Sequence, residues 1–208
     1  MRHFILDIDG TIWNTTGVVA TAWNRAVKES NISKLKDLNI TDKTLQKEFG
    51  KPMNVIADDL FGDIDPDKKA KLLEVCCKYE HQAIAENETN LTYEGVRETI
   101  EKLSKTDSLY IVSNCQDGYI ELVIAKNGIE KYIKDFECFG HTGLSKADNI
   151  KLVMERNNIN PEDAFYVGDT MGDYEASKEA GVKFIHAAYG FGNVPDAYKV
   201  VNSFSEIM

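Results

Sequence analysis

The chain has 208 residues, 24 of them basic and 34 acidic, giving a formal charge of −10. That length can bury a sizeable core, as one domain or as a domain carrying an insertion, and the acidic balance argues against a nucleic-acid partner. No apolar run approaches the roughly 20 residues of a membrane-spanning helix, so no membrane partner is expected. The opening Met1-Arg2-His3 runs directly into a strand pattern without a signal-peptide core. The four cysteines, Cys76, Cys77, Cys115 and Cys138, form no CxxC pair and no zinc spacing, so reduced thiols in a cytoplasmic protein are expected.

In chain order, the first predicted element is the short apolar strand Phe4-Ile5-Leu6, which runs into Asp7-Ile8-Asp9-Gly10-Thr11. If the strand continued, Asp7 and Asp9 would share a face. At the carboxyl end of a parallel strand they stand where open α/β sheets bind ligands. Residues 16–88 then lose the strand signal. Val19, Ala22, Trp23, Ala26 and Val27 recur at helical spacing. Thr41 is placed to cap a short helix ending at Phe49-Gly50, and Asp65-Pro66 reads as the N-cap and first residue of a longer helix. Trp13 and Trp23 read as packing residues.

From about residue 90, helix and strand alternate. Helices are predicted near 93–105, 117–127, 147–157 and 173–180, with strands at 109–112, 136–139, 164–167 and 182–185. Counting the first, about five short apolar strands separated by helices predict an α/β fold, a Rossmann-like parallel sheet with right-handed crossovers. The expected organisation is an α/β core of residues 1–14 and 90–208, interrupted by a helical domain over 15–89. His186 and Tyr189-Gly190-Phe191-Gly192, after the last predicted strand, read as a structural loop near the same sheet edge, with substrate contact as the alternative reading.

Four clusters fall at or just past strand ends: Asp7 to Thr11, Ser113-Asn114, Lys146, and Gly168-Asp169-Thr170-Met171-Gly172-Asp173. Because parallel strands point one way, these clusters converge on one edge. Their residue types suit phosphoryl transfer, which is mostly positioning and stabilisation of negative charge. Asp7 and Asp169 offer hard oxygen ligands for Mg²⁺. One carboxylate can attack phosphorus, while a second carries the leaving group's proton. The Ser113 hydroxyl, the turn amides and Lys146 are natural phosphate ligands.

These motifs resemble those of the haloacid dehalogenase-like phosphohydrolases: DxDGT at Asp7-Ile8-Asp9-Gly10-Thr11, the second-strand serine at Ser113, the lysine at Lys146, and GDxxxD at Gly168 to Asp173. The resemblance frames nearly the whole chain. It implies that Asp7 is nucleophile and metal ligand, and that Asp9 is general acid/base with its backbone carbonyl on the metal. Gly10, Thr11, Ser113 and Asn114 would line the phosphate pocket, and Lys146 would neutralise charge. Asp169 would ligate Mg²⁺ directly, and Asp173 would act through water or by orienting neighbours. Lys151 rivals Lys146, because many relatives follow this lysine with proline where Ala147 stands here. The insertion resembles the family's helical C1 caps, whose substrate-reading loop corresponds to Phe49-Gly50-Lys51-Pro52. Lys51 there is either a substrate-anion contact or a solvated turn residue.

The expected activity is Mg²⁺-dependent hydrolysis of small-molecule phosphate monoesters. A phosphoglucomutase-like transfer uses the same parts, and a non-catalytic phosphate-binding protein is the rival from another class. Phosphoglycolate, sugar phosphates and nucleotides are all open as substrates, and the sequence carries no signal of oligomeric state.

Overall fold

In the computed structural model, which describes residues 1–208, a four-residue strand β1 (His3–Leu6) is followed by four helices: α1 (Thr16–Ser30), α2 (Asp42–Glu48), α3 (Met53–Phe61) and α4 (Pro66–Glu86). The alternating part then runs α5 (Val96–Leu103), β2 (Ser108–Ser113), α6 (Tyr119–Asn127), β3 (Ile133–Cys138), α7 (Phe139–Thr142), α8 (Lys146–Arg156), β4 (Ala164–Gly168), α9 (Met171–Ala180), β5 (Lys183–Ala187) and β6 (Lys199–Val201). All strand pairings are parallel, in the order β3-β2-β1-β4-β5-β6. The α/β, Rossmann-like expectation holds.

The sheet has six strands, one more than the pattern suggested. β6 is three residues long at the sheet's edge, paired to β5 through Ile185↔Lys199 and Ala187↔Val201. Tyr198 just before it and Val200 within it are exposed, so no buried apolar run announces it. The opening acids stand where the sequence places them: β1 ends at Leu6, so Asp7 and Asp9 belong to the turn at the strand's carboxyl end and do not share a strand face.

The residues divide into two compact units, one of Met1–Asn14 with Leu91–Met208 and one of Thr15–Asn90. In the first, β1 is the sheet's interior: Phe4, Ile5 and Leu6 are almost wholly excluded from solvent, as expected of a strand covered by helices on both faces. On one face Ile5, Tyr110, Val112 and Tyr166 pack with Ile150, Val153 and Met154 of α8 and Ala176 and Ala180 of α9. The points where the chain leaves and re-enters this unit are joined by the Asn14 N–H donating to the Leu91 carbonyl at 2.9 Å.

In the second unit, α1 buries Val19, Ala22, Trp23, Ala26 and Val27, as the helical spacing predicts, together with Thr16 and Ala20. Thr41 caps α2 through a reciprocal box with Thr44, and Asp65 caps α4 ahead of Pro66, satisfying amides that lack helical partners. Trp23 is fully buried and its Nε1 donates to Glu80 Oε2 at 2.8 Å, which ties α1 to α4. No helix is long and apolar enough to cross a membrane, and all four cysteines are free thiols.

Trp23→Phe keeps an aromatic in this helical core but removes the indole donor from a buried carboxylate. It should destabilise the protein by about 1–3 kcal/mol, read as a lower urea midpoint with unchanged m-value.

Candidate active site

The sheet order makes a switch point. After β1 the chain builds outward through β2 and β3, then returns to the other side of β1 for β4. Loops leaving β1 and β4 therefore diverge and open a crevice at their carboxyl ends, where open α/β sheets bind ligands. Asp7 follows β1 directly, with its N–H still bonded to the Val167 carbonyl at 2.8 Å. Asp169 follows β4 directly, Ser113 is the last residue of β2, and Lys146 opens α8.

Three carboxylates meet there. Ligand oxygens of Asp7, Asp169 and Asp173 all lie within 4.8 Å of one another, and all three residues are buried. The buried Lys146 ammonium bridges two of them, at 3.0 Å from Asp7 Oδ1 and 2.5 Å from Asp173 Oδ1, with the Tyr166 ring 5.8 Å away. Asp173 is fully engaged. Its Oδ2 accepts from the Asp169 amide (3.2 Å), the Thr170 amide (2.9 Å) and the Thr170 hydroxyl (2.7 Å). This is a capping box at the start of α9 that also fixes the turn carrying Asp169. Lys151, the rival lysine, is half-exposed and pairs with Asp148 and Glu179. Lys146 is the lysine of the cluster.

Electrostatics follow from the count. Burial raises the Asp7 carboxyl to about 6, with Lys146 opposing and Asp173 reinforcing the rise. Burial, then the charges of Asp173 and Asp7, push Asp169 well above the usual carboxylate range, against the pull of the Phe191 amide. Burial works against the Lys146 charge, but Asp173 and Asp7 outweigh it and hold the ammonium more firmly than usual. Three acids and one ammonium leave a net deficit of positive charge in a dry site, a state that favours protons or a cation. Asp169 Oδ1 is buried without any hydrogen-bond partner. Hard oxygen donors, an orphaned carboxylate oxygen and missing positive charge together fit a divalent cation. Asp7 and Asp169 would hold it, with Asp173 behind them.

The remaining turn residues gather around this cluster. Gly10 has φ 82, and a Cβ there would collide with the Asp169 carboxylate. Thr11 is fully buried with an unpartnered hydroxyl, and Asp9 accepts from the Tyr119 hydroxyl at 3.0 Å. Ser113 is buried at the end of β2 and Asn114 is half-buried beside it. Lys51 belongs to the helical unit, where its ammonium pairs with Glu48 at 2.7 Å and Asp59 at 2.8 Å.

Sequence reasoning placed the loop after β5 near this edge as a structural loop, but missed that it bonds, as a strap, to the acid cluster and its turn. The Tyr189 hydroxyl donates to the Thr11 carbonyl at 2.8 Å and the Phe191 amide donates to Asp169 Oδ2 at 2.6 Å. A Cβ on Gly190 would strike both Asp169 and the Gly10 carbonyl. The strap thus holds one oxygen of Asp169 and leaves the other unpartnered. The tight Tyr-Gly-Phe-Gly spacing after a strand was the available signal.

With this geometry in place, comparison with known proteins is decisive at the level of family. The family model described as haloacid dehalogenase-like hydrolase matches residues 4–187. The chain belongs to that family. Among curated relatives, a phosphoglycolate phosphatase from Nitrosospira multiformis is 26% identical over 209 residues, spanning 96% of this chain and 88% of the relative. The pyrophosphatase PpaX from Oceanobacillus iheyensis is 23% identical over 193 residues, spanning 91% and 84%. A solved haloacid dehalogenase-like family protein from Streptococcus pneumoniae shares the fold with a TM-score of 0.82 at 18% identity, covering 100% of this chain and 96% of that one. This haloacid dehalogenase-like hydrolase is an enzyme of the phosphatase kind, as its curated relatives are.

The two lysines separate cleanly by mutation. Lys146→Met strips the only cation from a buried acidic cluster and should cost several kcal/mol at pH 8, on the order of 3–5. The loss should shrink as pH falls toward 5, because Asp7 and Asp169, both pushed upward, then take up protons. Lys151→Ala removes exposed pairs and should stay within about 0.5 kcal/mol. Urea unfolding at both pH values measures each.

Proposed function

We propose that this hydrolase is a Mg²⁺-dependent phosphatase acting on small-molecule phosphate monoesters through an aspartyl-phosphate on Asp7. The observation that carries the reading is the buried Asp7–Lys146 pair beside the orphaned Asp169 Oδ1, at the switch point of the sheet. In this reading the core of residues 1–14 and 90–208 performs the chemistry. The helical segment 15–89 selects the substrate, and the enzyme works in the cytoplasm, where free thiols persist.

Asp7 is the nucleophile. Its oxygen bonds to phosphorus as the ester P–O bond breaks, and the departing oxygen takes a proton from the Asp9 carboxyl. Water then attacks phosphorus, gives its proton back to Asp9, and the Asp7–phosphorus bond breaks to release phosphate. Lys146 holds Asp7 in one rotamer and offsets negative charge during both displacements. The Thr11 hydroxyl, Ser113, Asn114 and the amides of the Gly10 turn supply donors to the phosphoryl oxygens. Asp7, Asp169 and the Asp9 carbonyl would hold Mg²⁺, with Asp173 orienting the set, and the bound ion would supply the charge that lowers repulsion between the Asp7 carboxylate and an anionic ester. Lys51 could reach a substrate anion only by leaving Glu48 and Asp59. The curated relatives named for phosphoglycolate and pyrophosphate favour a compact, highly charged substrate.

Asp7→Asn should lower turnover of a generic aryl phosphate by more than about a thousandfold, the scale of losing a covalent nucleophile, and EDTA should suppress the wild-type rate until Mg²⁺ is restored. Release of inorganic phosphate across a panel of phosphorylated metabolites is the expected product. Isomerised sugar phosphate in its place would overturn hydrolysis in favour of phosphoryl return.

Magnesium should also act on stability with a defined pH dependence. Since Asp7 sits at about 6 in the fold and near 4 when unfolded, folding takes up a proton across that window. Metal-free stability therefore falls as pH rises through it. Mg²⁺ competes with that proton, so its thermal upshift should be larger at pH 7.5 than at pH 5, measured by calorimetry with and without the metal.

A further inference from the structure

Tyr119 is buried to 1% exposure as the first residue of α6, immediately after Gly118 with its left-handed φ of 80. Its hydroxyl donates to Asp9 Oδ1 at 3.0 Å. A buried phenol needs a partner for its O–H, yet this one takes a carboxylate that stands in a turn rather than a nearby backbone carbonyl. The ring itself is held. Trp13 meets it edge-on, with centroids 5.9 Å apart and planes at 69°. Trp13 in turn belongs to the Asp9 turn, through a bridge to Asp9 and a bond from the Gly10 amide to its carbonyl at 2.9 Å. Carboxylate, phenol and indole thus form a closed loop in which each member limits the movement of the next.

We propose that Tyr119 is the positioning residue for Asp9. The inference rests on reading Asp9 as the group that protonates the leaving oxygen. A half-buried aspartate on a turn has two soft side-chain torsions, and proton transfer needs its oxygen within about 2.6–3.2 Å of the ester oxygen. With Oδ1 held by a donor, the transferable proton belongs on Oδ2, and the carboxyl plane is fixed relative to the Asp7 turn. Tyr119 can donate to Oδ1 whether Asp9 is protonated or ionised. The same bond therefore serves the acid half of the reaction, in which Oδ2 gives its proton to the ester oxygen, and the base half, in which Oδ2 recovers one from water. Tyr119 touches neither phosphorus nor the leaving group in this scheme and acts only through Asp9.

Leaving-group dependence tests this in the full-length, Mg²⁺-loaded enzyme. An alkyl phosphate needs a proton on its departing oxygen, whereas 4-nitrophenyl phosphate departs as a stable phenolate, and kcat/KM reports every step up to departure. Y119F keeps the ring against Trp13 and removes only the hydroxyl. We expect it to lower the alkyl-to-aryl ratio of kcat/KM by about tenfold or more, a part of the 10²–10⁴ that a placed acid contributes, while D9N collapses the ratio further. In a D9N background Y119F should have no additional effect on the ratio. An equal loss on both esters, which is what a purely structural role would produce, overturns the positioning role, as does an undiminished ratio or a full effect of Y119F in the D9N background. If D9N itself leaves the ratio untouched, the acid/base reading of Asp9 fails first, independently of Tyr119.

Discussion

Asp7, Asp169 and Asp173 crowd one buried corner, and the Lys146 ammonium lies within 3.0 Å of two of them. Unpaired, charges so placed would cost several kcal/mol each, even after local relaxation. The surrounding architecture can be understood as compensation for that corner. Asp173 is committed to three donors and the lysine, so it acts as the fixed point of the set. Asp7 takes the lysine, and Asp169 is left with one oxygen bonded to the Phe191 amide and one with no partner. The imbalance is local and directional, aimed at a single oxygen.

Only a sheet with β1 at its centre brings these groups together. Residues that follow neighbouring parallel strands are close in space though far apart in the chain, and the reversal of direction at β1 opens a gap between the loops instead of packing them. The gap is lined with small residues because the walls press inward. A side chain at Gly10 or Gly190 would occupy the position of the Asp169 carboxylate. The strap from Tyr189 to Gly192 closes over the turn from the β5 side and bonds to it through two contacts, one phenol and one amide.

Much of this was legible in the sequence, for a physical reason. Carboxylates, hydroxyls and lysines at the ends of apolar strands are costly to place there without a ligand, so Asp7, Ser113, Lys146, Asp169 and Asp173 stood out by type and position together. The helix caps at Thr41 and Asp65 were equally readable, since capping depends on one side chain and the amides just after it. Features whose chemistry lies in the backbone or in tertiary contact were not readable. The amide of Phe191 has no residue-type signature, and no spacing in the sequence links Tyr119 to Trp13 or Asp9, which it meets only in the fold. β6 is too short and too exposed to leave a pattern. The choice between Lys146 and Lys151 turned on five residues of helix, and the contacts of the buried Lys146 ammonium with Asp7 and Asp173 decided it.

The placement of β1 has a consequence for how the chain is made. Its two sheet partners begin at Ser108 and Ala164, so when the first strand leaves the ribosome it has nothing to pair with. The helical segment Thr15–Asn90 is synthesised in full before β2 exists. Within it α1 packs against α4, tied by the Trp23–Glu80 bond. Domains form as units in the order they emerge, and nonlocal strand pairing is slow because the loop must close before any contact rewards it. A helical segment that condenses early brings Asn14 and Leu91 close, and so replaces a long floppy closure with a short one. With Asn14 and Leu91 bonded to each other, the loop left to close between β1 and β2 is far shorter than the sequence between them.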